Sequence, residues 1–251
     1  HSSMIKGIAI GFAAYGLFST ADAGAKALGQ TMSVFEVLFW ITATHFVTIG
    51  FAKGENERWR HVFRMNRPGL VAIRVVCGVG AGLTGVYAFT TLPLAEAYAL
   101  IFLMPAFTTI LSIPILGEEV GWRRWTAVAI GFAGVLLVVK PGFQELHLGH
   151  LAAAICAVLG AISILVLRTL GPTEKRITLL AAIYTAATAV NGILMIPTFQ
   201  MPQATGLLII AIAGFAGGIA QILLLVATRL APANRVAPAQ YSQIVWAVIF
   251  G

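Results

Sequence analysis

Residues 177–228 read ITLLAAIYTAATAVNGILMIPTFQMPQATGLLIIAIAGFAGGIAQILLLVAT, a run of 52 residues without a charged side chain. A membrane-spanning helix needs about 20 mainly apolar residues. The run is interrupted only by PTFQMP at residues 197–202, where two prolines and two polar side chains favour a turn. It is therefore long enough for two spanning helices joined by a short connection.

The whole chain has the composition of an integral membrane protein. Of its 251 residues, 59% are hydrophobic and 10% are charged, whereas soluble domains carry about 25% charged residues. A soluble fold of this length has too little interior to hide so much apolar surface. The apolar runs are too long for barrel strands and do not alternate with polar residues. We therefore expect an all-α polytopic membrane protein.

Charge-free stretches elsewhere in the chain bring the predicted number of spans to nine. The predicted spans are 4–25, 33–52, 68–90, 93–116, 122–139, 148–167, 177–197, 205–228 and 232 to the end. Because the chain stops at Gly251 inside an apolar run, we expect a tenth helix to be missing. Residues 1–3, before Met4, are interpreted as an expression-vector remnant.

The net charge of +7 is better explained by basic cytoplasmic loops than by a nucleic-acid-binding site, since the sequence contains no basic helix or aromatic-basic platform. When the loops are assigned alternately to two sides, the N-terminal side receives 13 Lys and Arg residues. The other side receives only Lys26 and Lys140. Because cytoplasmic loops are enriched in Lys and Arg, we expect a cytoplasmic N-terminus.

Weak self-similarity indicates an internal repeat. Gly7 and Gly29 match glycines 142 positions later, and Gly80, Thr90 and Leu92 match identical residues 138 positions later. The repeat unit would hold five helices, and an odd number inverts the topology of the second copy. Inverted repeats are the construction of many secondary transporters. We expect the copies at 4–147 and 148–251, the second being incomplete at its C-terminus.

Two segments carry a resemblance to a known family. Residues 91–105 read TLPLAEAYALIFLMP and continue to LGE at 116–118, and the second copy reads RLAPANRVAPAQYSQIVW at 229–246. This pattern resembles the EamA-type transporters of the drug/metabolite transporter superfamily, most closely the bacterial exporters of aromatic amino acids and related metabolites. The resemblance implies ten helices in two inverted five-helix halves around a central cavity. It places the second Gly-Glu landmark just beyond Gly251.

A transporter needs polar and aromatic groups inside its spans, and this chain offers a limited set. His45 is the only ionisable residue near the middle of a predicted span and is a candidate for substrate or proton binding. The other substrate-cavity candidates are Tyr87, Glu96, Tyr98, Phe102, Gln221, Gln240, Tyr241, Gln243 and Trp246. The alternative for each is packing inside the bundle, and for Glu96 it is capping of a helix N-terminus.

The remaining charges near span ends have simpler interpretations. Asp22, Lys26 and Glu36 are expected to form a solvated cluster at the outer ends of the first two spans. Arg74 is expected to extend its side chain towards the cytoplasmic interface.

Glycines and prolines supply possible hinges. Residues 80–85 match the dinucleotide pattern G-x-G-x-x-G, but they lie inside a span with no preceding strand, which excludes that function. Two pairs, Gly78/Gly82 and Gly214/Gly218, have the spacing that lets membrane helices approach closely. The hinge candidates are Gly80, Gly82, Pro105, Gly218 and Pro238.

These observations predict a secondary transporter that exports small metabolites across the bacterial inner membrane by alternating access. The expected substrates are amino acids with aromatic or bulky apolar side chains. The alternatives are an importer or exporter of another metabolite or drug, or a channel-like facilitator. No Walker loop, nucleophile constellation or metal-ligand spacing is present in the sequence, so no enzyme, cofactor or metal is expected. The expected partners are the substrate and the lipid bilayer, with protons a candidate coupling ion and a monomeric state favoured.

Overall fold

The computed structural model describes residues 2–140, 145–231 and 237–250, and within these ranges it contains α-helices and no strand. The helices are α1 (Ser2–Leu28), α2 (Val34–Thr48), α3 (Pro68–Thr91), α4 (Leu94–Ile101), α5 (Met104–Leu116), α6 (Trp122–Val139), α7 (Leu148–Leu170), α8 (Arg176–Met195), α9 (Ala204–Leu230) and α10 (Ser242–Phe250). Short 3-10 turns lie at Ile49–Ala52, Trp59–His61, Ile196–Thr198 and Ala237–Tyr241.

Eight stretches of the described chain are long and apolar enough to cross a membrane. Their ends lie within three residues of the first eight predicted spans, so the all-α polytopic class is confirmed. The ninth predicted span begins in a segment outside the described residues. Its described part consists of the 3-10 turn Ala237–Tyr241 and α10.

The fourth span, predicted as one helix, is broken into α4 and α5. Pro105 has no N–H to donate, and its ring clashes with the carbonyl of a residue four positions earlier, which is Ile101. The α4 helix ends at Ile101, and Leu103 N–H donates instead to the carbonyl of Leu100 at 3.1 Å. The break therefore lies where the proline forbids a regular helix.

The span ends at the Gly-Glu landmark because Gly117 adopts a left-handed conformation with φ of +66°. The Gly117 N–H donates to Ile113 O and the Glu118 N–H to Ser112 O. This is the helix-terminating pattern that glycine permits at low cost.

The chain divides into two compact units, one formed by His1–Glu57 with Ala187–Gly251 and the other by Arg58–Ala186. In the first unit α1 and α2 pack on α9, and in the second α3, α4 and α5 pack on α7. In the predicted repeat, the first span corresponds to the sixth and the third span to the eighth. The packing of α1 on α9, which are the first and eighth spans, therefore has its counterpart in the packing of α7 on α3, which are the sixth and third spans. The helix pairing fits two five-helix copies, and the boundary between residues 147 and 148 stays a prediction.

Small residues allow α9 to lie close to α2 in the first unit. A side chain at Gly214 of α9 would collide with Thr44 of α2, and one at Gly218 would collide with Thr48. The Gly214/Gly218 spacing thus brings α9 against α2, as expected for small residues four positions apart.

Two charged side chains differ from expectation. Glu36 is fully buried rather than part of a solvated cluster. Arg74 is also buried, and its Nη1 donates to the carbonyl of Leu179 in α8 at 3.2 Å instead of reaching the interface. Both expectations were wrong because helix packing, which a single span does not reveal, places these residues against neighbouring helices.

Candidate transport site

A carboxylate–imidazole pair lies in the second unit, at the end where α3 stops and α4 and α7 begin. Glu96 lies in the first turn of α4, and His150 lies in the first turn of α7. The distance from His150 Nε2 to Glu96 Oε2 is 3.2 Å. The imidazole is almost fully buried, whereas the carboxylate keeps one fifth of its side-chain surface exposed.

The tautomer of His150 follows from its other hydrogen bond. The backbone N–H of His147 donates to Nδ1 of His150 at 3.0 Å. Since Nδ1 accepts, the ring proton lies on Nε2, which donates to Glu96. In return, the His147 side chain accepts a backbone N–H of the first turn of α7. The two histidines therefore cap α7, and they orient one N–H towards Glu96.

A cavity of about 290 Å³ opens beside this pair. It is lined by Thr91, Leu92, Pro93, Glu96, Glu145, His147 and His150. Pockets for drug-sized ligands have volumes of about 300–1,000 Å³. The cavity is thus sized for a small polar part of a metabolite, and its lining offers two carboxylates and two imidazoles.

An aromatic cluster follows Glu96 along α4. The ring of Tyr98 stacks on Phe102 with centroids 5.6 Å apart and planes 3° apart, and Phe89 of α3 meets Tyr98 edge-on at 5.5 Å. Tyr98 is 2% exposed, whereas Phe102 and Tyr87 are only partly buried. Phe102 is therefore the member of the cluster with surface left for a ligand.

The first unit holds His45 near the end of α2. Both ring nitrogens are shielded from solvent, and a Cβ at Gly217 of α9 would lie 2.8 Å from Nε2. The glycine therefore lets the imidazole edge lie directly against the α9 backbone. This contact agrees with the alternative interpretation of His45 as a packing residue. A role in substrate or proton binding stays a prediction.

The other candidates of the first unit lie on α9, on the last 3-10 turn and on α10. Gln243 is buried, Gln221 and Gln240 are partly buried, and Tyr241 is exposed. Trp246 stacks on Phe250 with centroids 5.8 Å apart, and its indole faces Gly16 of α1. The candidates are therefore divided between the units, with six in the first unit and four in the second.

The hinge candidates divide by local geometry. Pro105 lies at the observed break between α4 and α5, and Pro238 lies in the 3-10 turn before α10. The α3 helix runs without interruption through Gly80 and Gly82. Because Gly80 has no side chain, Leu159 of α7 can pack against it. Gly218 admits Thr48. Movement at all five positions remains a prediction.

His150, the partner of Glu96, was missed in the sequence. The available signal was the spacing of His147 and His150, three residues apart just before an apolar run, which has the form of a capping pair. Histidine is not a usual member of such pairs, so the pattern did not point to this role.

The profile of the EamA-like transporter family matches residues 5–140. The chain belongs to the EamA-like transporter family. It is accordingly a multi-span membrane transporter, as the resemblance of residues 91–118 to the EamA type implied.

Curated relatives are similar over much of the chain. A riboflavin transporter of Rhizobium johnstonii is 29% identical over 181 residues, which cover 72% of this chain and 57% of that protein. An S-adenosylmethionine uptake transporter of Rickettsia bellii is 26% identical over 248 residues, which cover 96% of this chain and 83% of that protein.

A protein of known crystal structure has the same fold. It aligns with 97% of this chain and 96% of its own length at a TM-score of 0.61, with 19% identical residues. At this identity the likeness concerns the fold alone.

The hydrogen bond between Glu96 and His150 is open to direct test. Replacing Glu96 with alanine leaves the Nε2–H of a buried imidazole without its acceptor, which costs about 1–3 kcal/mol. We expect the Glu96→Ala variant to unfold at a lower temperature, measured on purified protein in detergent, and the Glu96→Gln variant to keep more stability because its amide oxygen still accepts. Glu145→Ala, at an exposed position of the same cavity, is the control. Equal unfolding temperatures for Glu96→Ala and Glu145→Ala would mean that the hydrogen bond between Glu96 and His150 does not stabilise the fold.

Proposed function

We propose that this EamA-like transporter is a secondary carrier that takes up a metabolite bearing a heteroaromatic ring across the bacterial inner membrane by alternating access. The observation that carries the proposal is the alignment over 96% of the chain with an S-adenosylmethionine uptake transporter. A riboflavin transporter among the relatives supports the same ring chemistry. Riboflavin and S-adenosylmethionine both contain a planar nitrogen heterocycle.

The candidate residues offer chemistry suited to such a substrate. Aromatic side chains stack on planar rings with gains of about 0.5–1.5 kcal/mol beyond burial. Phe102 already stacks on Tyr98 on one face, and it is only partly buried. Glu96, with one fifth of its side-chain surface exposed, complements an amine or another positive group on the same molecule.

Export of aromatic amino acids, expected from the sequence, is the second candidate. An aromatic amino acid would use the same stacking surface for its ring and the same carboxylate for its amino group. The two candidate functions differ in the direction of transport. A relative named for uptake favours import. The cytoplasmic N-terminus predicted from the Lys and Arg distribution stays part of this proposal, as does His45 as a proton-binding residue.

Flux in proteoliposomes tests the proposal. We expect saturable entry of labelled riboflavin or S-adenosylmethionine that unlabelled compound competes for, with both inward and outward gradients measured. Saturable movement of phenylalanine or tryptophan alone would favour the second candidate. Flux that rises linearly with concentration would instead indicate a channel, and no flux of any of the four compounds would refute the substrate class. Protein-free liposomes are the control.

A further inference from the structure

The segment of the second unit that leads into α3 carries a dense set of cations. Residues 58–67 read RWRHVFRMNR and contain four arginines and no carboxylate. All four arginine side chains are exposed. Between them lie two large apolar side chains, Trp59 and Phe63, which are 55% and 59% exposed. Cations that alternate with exposed aromatic rings beside a spanning helix are typical of a segment at the membrane–water interface.

This segment is anchored to the connection between α7 and α8. Oε1 of the buried Glu174 accepts the backbone N–H of Asn66 at 2.7 Å and that of Arg67 at 2.8 Å. The Asn66 side chain donates to the carbonyl of Thr173. Met65 packs on a buried apolar cluster of α3, α7 and α8. Three hydrogen bonds and an apolar contact therefore give the segment a defined position.

The same anchor brings further cations to this end of the second unit. Residues 168–176 begin in the last turn of α7 and end at the start of α8, and Glu174 is their only carboxylate. Two segments that are about 100 residues apart in sequence therefore present six exposed cations together. We name these side chains the basic surface: Arg58, Arg60, Arg64, Arg67, Arg168 and Lys175.

The basic surface lies at the level of the lipid headgroups. The spanning helix α3 has 24 residues, which gives it a length of about 36 Å. Because the hydrocarbon core of a bilayer is about 30 Å thick, the start of α3 extends beyond the acyl chains. Arg67 directly precedes this helix start, and the end of α7 packs beside it. The cations therefore lie where the phosphate groups of a bilayer lie.

We propose that the basic surface binds the headgroups of anionic phospholipids, with Trp59 and Phe63 inserted into the same leaflet. Guanidinium groups pair with phosphate through two parallel hydrogen bonds, and a cluster of Lys and Arg next to a spanning helix attracts anionic lipids. A dissolved phosphate would use the cations alone, whereas a lipid also offers acyl chains to the two rings. This lipid site is independent of the proposed substrate, and its test measures unfolding without transport.

Thermal unfolding of the full chain in an uncharged detergent measures lipid binding when phosphatidylglycerol or phosphatidylcholine is titrated in. A ligand of the folded state raises the unfolding temperature by mass action. We expect the larger rise with phosphatidylglycerol, and a smaller difference between the lipids in high salt because salt screens the charges. In Arg60→Gln/Arg64→Gln the half-maximal concentration of phosphatidylglycerol should increase about tenfold or more. Equal effects of the two lipids on the parent protein would overturn the proposal.

Arg123→Gln/Arg124→Gln is the matched control. These two arginines are also exposed and lie at the start of the spanning helix α6. Two carboxylates, Glu118 and Glu119, come shortly before them, and Arg124 lies 4.0 Å from Glu118. The control removes the same charge and should keep the parent protein's response to phosphatidylglycerol. An equal loss in both double variants would mean that the lipid responds to net charge alone, which would overturn the basic surface as its site.

Glu174→Ala separates an arranged surface from a simple accumulation of charge. It removes a negative charge from among the cations, so charge alone predicts tighter binding of phosphatidylglycerol. It also releases the backbone of residues 66 and 67, and lipid binding must then order this segment. We therefore expect weaker binding, and tighter binding would contradict the proposal. The arginine variants, which change only exposed side chains, decide the outcome if Glu174→Ala does not fold.

Soluble anions distinguish a lipid from other phosphate compounds. Inorganic phosphate, glycerol phosphate and a short oligonucleotide should have almost no effect at the concentrations where phosphatidylglycerol acts, because they lack acyl chains. Phe63→Ser keeps every cation and should weaken the response to phosphatidylglycerol. If a soluble anion raised the unfolding temperature as much as the lipid, and Arg60→Gln/Arg64→Gln abolished this rise, the surface would belong to a soluble partner and the lipid proposal would be wrong.

Discussion

The Gly218→Leu variant is expected to lose most of its folded yield, because α9 can no longer lie against α2. A side chain at this position would overlap Thr48, which is 1% exposed. Thr48 cannot turn aside easily, since its side chain is branched at Cβ and its hydroxyl donates to His45 O at 2.7 Å. Forcing extra volume into a packed site costs about 1–3 kcal/mol, occasionally more. Thermal unfolding and the monodisperse fraction in size-exclusion chromatography measure the loss.

Gly131→Leu is the matched control for this prediction. Gly131 also lies inside a spanning helix, α6, but a Cβ there meets no atom within 4 Å. Leucine forms helix more readily than glycine by somewhat under 1 kcal/mol, so this variant should be at least as stable as the parent protein. Similar behaviour of the two leucine variants would mean that the contact between α2 and α9 does not limit stability.

The existence of the spans could be predicted because it depends on local composition. A stretch of about 20 residues without charge must be helical in a bilayer, since each backbone N–H and C=O needs an internal partner there. This argument located the ends of eight spans to within three residues. It missed the interruption between α4 and α5, although Pro105 was already a hinge candidate.

The contacts between helices depend on folding and were accessible only in part. The Gly214/Gly218 spacing predicted close approach without naming the partner, which is α2. Glu36 looked like an interfacial charge because it lies at the end of a span, yet it is buried by the turn between α8 and α9. The acceptor for Arg74 is a backbone carbonyl 105 residues away, and no local pattern indicates such a partner.

In the candidate site, too, local features could be predicted from the sequence and contacts between helices could not. Glu96 was selected as a first-turn carboxylate, and the structure supplies His150 as its partner from α7. Tyr98 and Phe102 are four residues apart, which is the spacing of one helix face, and their rings do stack. The spacing cannot tell which ring is covered by the next helix, and that ring is Tyr98, which meets Phe89 of α3.

The second large effect is expected at Tyr98. Removing a buried aromatic ring costs about 3–5 kcal/mol, and Tyr98 is 2% exposed between Phe89 and Phe102. The Tyr98→Ala variant should therefore unfold well below the parent protein in a thermal assay. Tyr98→Phe keeps both ring contacts and is expected to unfold at a clearly higher temperature than Tyr98→Ala. An alanine variant as stable as the phenylalanine variant would contradict the packing described for this cluster.

This burial decides how the cluster can be tested for transport. A loss of flux in Tyr98→Ala would follow from unfolding alone, so it carries no information about the substrate. Phe102 is partly buried, and truncating it to leucine keeps apolar volume while removing the stacking face. If the ring of the substrate stacks there, Phe102→Leu raises KM for ring-bearing compounds at an almost unchanged unfolding temperature, and Tyr98→Phe leaves KM as it was. An unchanged KM in Phe102→Leu would mean that the aromatic cluster serves only helix packing and does not contact the substrate.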